Sequence, residues 1–187
     1  MADLSIGVVG AAGRMGSAVI RQVSETAGCA VVAASEVAGS TAIGRDAGAL
    51  AGLDAIGVEV SDDASKLFGR ADAVIDFSTP RATIDHAAIA ASHRRIHIIG
   101  TTGLDADQDA ALGAAADRAV IVRAPNMSLA VNILFALTRQ VAALLGDEFD
   151  IEILEMHHRH KVDAPSGTAL GLGRAAAAGR GVDLAAV

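Results

Sequence analysis

The chain has 187 residues, of which 52% are hydrophobic and 2% aromatic, with no Trp or Tyr and a formal net charge of −7. That length holds one full domain with room for part of a second, and the hydrophobicity excludes disorder, which requires few apolar residues and high charge. The acidic balance repels a phosphate backbone, and the densest basic spot, Arg94 with Arg95, reads as the solvated end of a helix, so nucleic acid is excluded as a partner.

The first apolar run, Ser5 to Val9, has the length of a strand buried on both faces and leads straight into Gly10-Ala11-Ala12-Gly13-Arg14-Met15-Gly16. Each glycine has a physical role in a dinucleotide cradle: Gly10 for the tight turn, Gly13 for backbone approach to a pyrophosphate, Gly16 for close helix-to-strand contact. The helix that follows, Gly16 to Thr26, offers unpaired N–H groups and a partial positive charge to phosphates. The spacing G-x-x-G-x-x-G departs from the commonest G-x-G-x-x-G, and a ligand-free strand-to-helix turn would use the same residues.

The second run, Ala30 to Ser35, begins beside Cys29, the single cysteine, which reads as a small core residue. One cysteine excludes an intramolecular disulfide, and with no positive leader segment at the N-terminus the chain is expected in a reducing cytoplasm. Glu36 closes this run, about twenty residues beyond the glycine loop, where an acidic side chain accepts hydrogen bonds from adenosine ribose hydroxyls. A solvated charge at a strand end is the plainer alternative.

Strands are then expected over Ala73 to Phe77, His97 to Gly100 and Ala119 to Val122, with helical stretches at Ile84 to Ser92 and Asp107 to Asp117. This alternation predicts an α/β fold with a Rossmann-type doubly wound parallel sheet. Such sheets bind ligands outside the carboxyl ends of their strands, which marks the loops Phe77-Ser78-Thr79-Pro80, Gly100-Thr101-Thr102-Gly103 and Ala124-Pro125-Asn126-Met127-Ser128. Small residues there admit a nicotinamide or its ribose, and Asn126 is placed to bond the carboxamide; turn chemistry alone also accounts for these loops.

Leu129 to Leu145 reads as an amphipathic helix, since Asn132, Thr138, Arg139 and Gln140 interrupt it, and not as a membrane span. Asp150 to Met156 alternates like a strand, and a second helix starts near Ser166 and fades through Gly171 to Val187. The expected division is a dinucleotide-binding domain, 1–128, followed by a partial α+β substrate-binding and oligomerisation domain, 129–187.

The densest chemistry is Glu155-Met156-His157-His158-Arg159-His160-Lys161-Val162-Asp163-Ala164-Pro165-Ser166-Gly167-Thr168. So many cations together are poor fold determinants, because buried charges cost several kcal/mol each unless paired. A cleft that binds a dianion accounts for them, with Ser166 as N-cap and the amides of Gly167 and Thr168 gripping a carboxylate, and a solvated charge cluster is the plainer alternative. No metal is expected: Arg159 and Lys161 repel a divalent ion, although a metal-dependent hydrolase built on the histidines remains an alternative.

The pattern Glu155-x-His157-His158-x-x-Lys161-x-Asp163-Ala-Pro-Ser-Gly-Thr-Ala resembles the signature of dihydrodipicolinate reductases, as do the glycine loop, Ile75-Asp76-Phe77-Ser78 and Gly100-Thr101-Thr102-Gly103 in the same order. The resemblance implies cofactor contacts from Gly10, Ala11, Ala12, Gly13, Arg14, Met15, Glu36, Gly100, Thr101, Thr102, Ala124, Pro125, Asn126 and Met127, with NADH or NADPH as cofactor. It implies His157 as proton donor or acceptor, Lys161 as proton donor, and His158, Gly167 and Thr168 as ligands of the substrate carboxylates. The implied reaction is reduction of 4-hydroxy-tetrahydrodipicolinate to tetrahydrodipicolinate in lysine and diaminopimelate biosynthesis, by a cytoplasmic homotetramer. Many members carry Arg after the acidic residue, where this chain has Val37, so NADH is expected to serve at least as well as NADPH, with Arg14 the nearby residue for a 2′-phosphate. Members usually continue past this length, so the chain is expected to lack a C-terminal part, which leaves a nucleotide-binding module without turnover as an alternative.

Overall fold

The computed structural model describes residues 4–146, 148–157, 159 and 164–186. Its first unit runs up to Arg123 and its second begins at Ala124.

The first unit alternates as expected: β1 (Leu4–Val9), α1 (Arg14–Glu25), β2 (Cys29–Ser35), α2 (Ala47–Leu50), β3 (Val60–Ser61), α3 (Ala64–Arg70), β4 (Ala73–Asp76), α4 (Pro80–His93), β5 (Ile96–Ile99), α5 (Ala106–Ala116) and β6 (Val120–Arg123). The six strands form one parallel sheet in the order β3-β2-β1-β4-β5-β6. The chain therefore winds outward from β1 to β3, returns to β4 and winds the other way, which makes the β1/β4 boundary the switch point where such sheets hold ligands.

Successive residues of β1 serve opposite faces. Ile6 and Val8 pack with Ile20 and Val23 of α1 and with Ala47 of α2, whereas Val9 joins Leu67 and Phe68 of α3 and Ala90 of α4. A further cluster, Ala87, Ile99, Leu112 and Ala115, seats α5. Ala and Val supply most of these contacts, so helices settle close to the sheet with almost no aromatic filler.

Local chemistry sets the helix starts. Asp46, Asp63 and Thr79 accept from the third residue beyond them at α2, α3 and α4, and Asp105 with Gln108 forms a capping box on α5. The Thr79 cap and Pro80 at N1 extend α4 one turn before its expected start at Ile84. Its end falls at Arg94, whose φ of 53° makes the left-handed cap, so the Arg94-Arg95 pair does close a helix.

The second unit holds α6 (Leu129–Leu144) and α7 (Gly167–Arg180), with a 3-10 turn at Leu184–Ala186. Two expectations are corrected here. Residues 150–156 alternate but form no strand, since an alternating segment needs a neighbouring ladder and none is present among the described residues. The expected fading of the second helix is also wrong: α7 continues to Arg180, because its glycines let it approach α6. A Cβ on Gly171 would stand 2.6 Å from the Phe135 ring, and one on Gly179 would stand 2.4 Å from the Arg139 carbonyl oxygen. Among the described residues no helix is long and apolar enough to cross a membrane.

Candidate active site

Gly10 turns the chain at φ +65°, and the Gly13 amide donates back to the Gly10 carbonyl at 3.0 Å. Gly16 sits so close beneath this turn that a Cβ would lie 2.1 Å from the Gly10 carbonyl oxygen; the same addition at Gly13 would be 3.2 Å away. The helix-to-strand role expected of Gly16 is therefore a steric requirement. No side chain caps α1, unlike the other four helices of this unit, and no acid stands in its first turn, so its N-terminal amides and dipole are left for an anion.

The loop's other amides have partners. Ala11, fully buried, donates to the Ser35 carbonyl at 3.1 Å, and Ala12 donates to Glu36 Oε1 at 2.9 Å. Ala11 thus shapes the turn, while Arg14 and Met15 begin the helix with exposed side chains. Glu36 reaches from the end of β2 onto the glycine loop, its second oxygen accepting from the Val37 amide at 3.1 Å.

Two more strand-end loops follow on one side of this turn, after β4 and then β5. Phe77 packs its ring onto Gly100, where a Cβ would be 1.9 Å from a ring carbon. Thr101 is buried, and its hydroxyl receives that of Thr83 at 2.9 Å, so its side chain faces inward while Gly100, Thr102 and Gly103 form the outer rim.

Behind these loops lies a cluster that the sequence analysis did not assign. Asp76, fully buried at the end of β4, accepts at Oδ2 from His86 Nδ1 (2.9 Å) and His97 Nε2 (3.0 Å), and at Oδ1 from the amide and hydroxyl of Ser78 (2.8 and 2.6 Å). Phe68 packs edge-on against His97, 5.5 Å between ring centres. Burial pushes the Asp76 carboxyl up, but hydrogen bonds from His86, His97 and Ser78 and the charge of His86 outweigh it and hold the group well below the usual carboxylate range. Asp76, His86 and His97 also bring ligand-type atoms within 4.8 Å of one another. Yet both rings aim at one carboxylate oxygen, and His97 Nδ1 is buried without a partner among the described residues. Metal-bound imidazoles carry a partner on the far nitrogen, so the cluster reads as hydrogen-bonded. The only sequence signal was polarity inside apolar runs, in Ala-Val-Ile-Asp76 and Ile-His97-Ile-Ile.

In the second unit Glu155 bridges two groups: Oε1 accepts from the Ser166 amide at 2.7 Å, and Oε2 lies 2.7 Å from His157 Nδ1. Ser166 is buried and caps α7 by accepting from Ala169 at 3.0 Å, which places Gly167 and Thr168 in the first turn, as expected. Asn126 donates to the Thr168 hydroxyl at 3.0 Å and accepts from Ser128 at 2.8 Å, so its amide is engaged within this unit. His157 is exposed, with Nδ1 oriented by Glu155. The expected roles of His158 and Lys161, with His160 and Asp163 of the same motif, fall outside the described residues. Glu155 was visible in the motif, but its bridging role emerges only with α7 in place.

Residues 4–127 match the family described as Dihydrodipicolinate reductase, N-terminus, and residues 130–184 match Dihydrodipicolinate reductase, C-terminus. The chain is 55% identical over 186 residues to a 4-hydroxy-tetrahydrodipicolinate reductase of Chelativorans sp. (strain BNC1), covering 99% of this chain and 67% of that protein. It is 56% identical over 184 residues to one of Sinorhizobium fredii (strain NBRC 101917 / NGR234), covering 98% and 68%. It thus spans about two thirds of the length of these relatives. Among solved structures, a dipicolinate-bound dihydrodipicolinate reductase from Paenisporosarcina sp. TG-14 aligns with a TM-score of 0.68 and 25% identity, over 95% of this chain and 66% of that one.

Proposed function

The chain belongs to the dihydrodipicolinate reductase family, and from that premise we propose that it carries out the NAD(P)H-dependent reduction of 4-hydroxy-tetrahydrodipicolinate to tetrahydrodipicolinate in lysine and diaminopimelate biosynthesis. The observation that carries this reading is Glu155 joining an oriented imidazole, His157, to the capped start of α7, so that a proton donor and carboxylate-binding amides come from one short segment.

The residues present fit a dinucleotide. The glycine turn leaves no room for a Cβ at Gly16, α1 is uncapped, and Glu36 stands over the loop. In this reading the amides at the start of α1 face the pyrophosphate and Glu36 takes the adenosine ribose; Gly100 to Thr102 and Ala124 to Met127 hold the nicotinamide end. Glu36 and Val37 disfavour a 2′-phosphate, so NADH serves at least as well as NADPH, with Arg14 the nearby cation for that phosphate. Residues 1–128 form the cofactor part and 129–187 the substrate part.

The bound nicotinamide supplies a hydride. The chain's side chains manage the rest: His158 and the amides of Gly167 and Thr168 hold the two carboxylates, while Lys161 and His157 deliver protons. The C4 hydroxyl takes up a proton and leaves as water while the neighbouring ring carbon gives up a proton, which forms a C=C conjugated with the ring C=N. Hydride would add at C4 of that system, sending electron density toward nitrogen, which a nearby cation stabilises and a proton neutralises. A positioned acid is typically worth ~10²–10⁴-fold, and fixed charge aimed at the developing anion adds to it. A cytoplasmic location and a homotetramer belong to the same proposal and rest on the family alone.

NADH consumption on adding freshly generated substrate tests the reading. Lys161→Ala should lower turnover about a hundredfold or more with little change in NADH affinity. Binding of NADH without consumption by the unaltered chain would leave a nucleotide-binding module instead.

A further inference from the structure

We propose that Asp76 is a positioning residue for dinucleotide binding, a buried carboxylate that fixes the loop after β4, which borders the glycine turn, and the next loop, after β5. This rests on the dinucleotide reading above.

Asp76 ends β4, the strand paired with β1 at the switch point. Its Oδ1 holds Ser78 through both amide and hydroxyl, and the Thr101 hydroxyl stands 3.5 Å from the same oxygen while receiving Thr83. Its carbonyl accepts the Gly100 amide at 2.8 Å. One residue therefore reaches both loops, and Ser78 in turn abuts the cradle, since a Cβ on Gly10 would lie 3.9 Å from Ser78 Cβ.

The choice of a carboxylate is informative because burying one is costly unless every lone pair finds a donor. Donors converge on both oxygens here. His97 cannot readily turn its proton elsewhere: its Nδ1 is buried without a partner among the described residues, and a proton there would be an unanswered donor. Nε2–H is thus committed to Asp76. An asparagine at this position has one acceptor oxygen, so its NH2 would face either the two ring N–H groups or the amide and hydroxyl of Ser78. No orientation satisfies both sides, and at least one loop loses its anchor. A residue needed only for packing would not have to be an acid.

The test is calorimetric titration of the protein with NADH, well below its thermal unfolding midpoint, for the wild type and four variants. Asp76→Asn should raise the dissociation constant about tenfold or more, and His97→Leu should weaken binding in the same direction. His97→Gln, which keeps a side-chain donor of similar reach, should restore affinity to within about threefold of the wild type. Should Asp76→Asn fail to fold, Ser78→Ala decides, since it removes one hydrogen bond to Oδ1 and leaves the carboxylate; about threefold weaker binding is expected. Unchanged affinity in folded Asp76→Asn or in Ser78→Ala overturns the proposal, as does equal loss in the Leu and Gln variants, which would mark a packing role. If the wild type binds neither NADH nor NADPH, the dinucleotide reading itself falls and takes this inference with it.

Discussion

The Glu36 carboxylate accepts a hydrogen bond from the Ala12 amide at 2.9 Å, tying the end of β2 to the glycine turn. This acid therefore holds the loop in shape, and a bound ribose would compete with the loop amide for it. Glu36→Ala should weaken NADH binding about tenfold and NADPH binding less, because the acid that favours a ribose diol also repels a 2′-phosphate. Titrations giving the opposite order would remove Glu36 from the ribose site.

The glycines differ in what they tolerate. Gly16→Ala forces a methyl to 2.1 Å from backbone and should destabilise by about 1–3 kcal/mol or more. Gly13→Ala meets the same carbonyl at 3.2 Å and should cost less. Gly113 in α5 is exposed with open space around its Cα, so Gly113→Ala should stabilise by about 0.5–1 kcal/mol. Urea unfolding of the three variants checks the ranking.

Asp46 predicts an acid-sensitive element. Its carboxylate accepts from the amides of Ala49 (3.0 Å), Ile56 (3.1 Å), Gly57 (2.8 Å) and Val58 (3.2 Å). The Ala49 bond above all, with the other three, holds its pKa below the ordinary value against the opposing effect of burial. A depressed carboxylate contributes stability that is fully present above its unfolded pKa and is lost as pH falls through the folded one. Wild type should therefore exceed Asp46→Asn in urea midpoint at neutral pH, and the gap should shrink as the solution is acidified below the carboxylate range. A gap independent of pH would refute the role.

Much of this was legible in the chain. Five strands, the glycine turn and the Ser166 cap follow from apolar runs, residue type and spacing, because each is a local property. β3 was missed, since Val60-Ser61 is too short to show a period, and α2 and α3, at 4 and 7 residues, are too short to show a helical one. Residues 150–156 show the converse failure: alternation permits a strand, but only a partner makes one. The Asp76 cluster joins residues 10 and 21 positions apart, and nothing in Ile-His97-Ile-Ile says where the imidazole points until β4, α4 and β5 are packed.

In the proposed mechanism Glu155 positions His157, whose Nδ1 lies 2.7 Å from Glu155 Oε2. Glu155→Gln keeps one acceptor oxygen but sets an NH2 against either the Ser166 amide or the ring. Turnover should fall about ten- to a hundredfold, a share of what a positioned acid supplies, while the NADH dissociation constant stays unchanged. Loss of NADH affinity with normal turnover would contradict this role.

Hydride delivery is most directly read with nicotinamide cofactor deuterated at the transferring carbon. The tetrahydrodipicolinate formed from freshly generated 4-hydroxy-tetrahydrodipicolinate should gain a single deuterium by mass spectrometry, matched by equal loss of reduced cofactor. Product without the label, or bound cofactor that stays reduced in the presence of substrate, would contradict the reductase assignment.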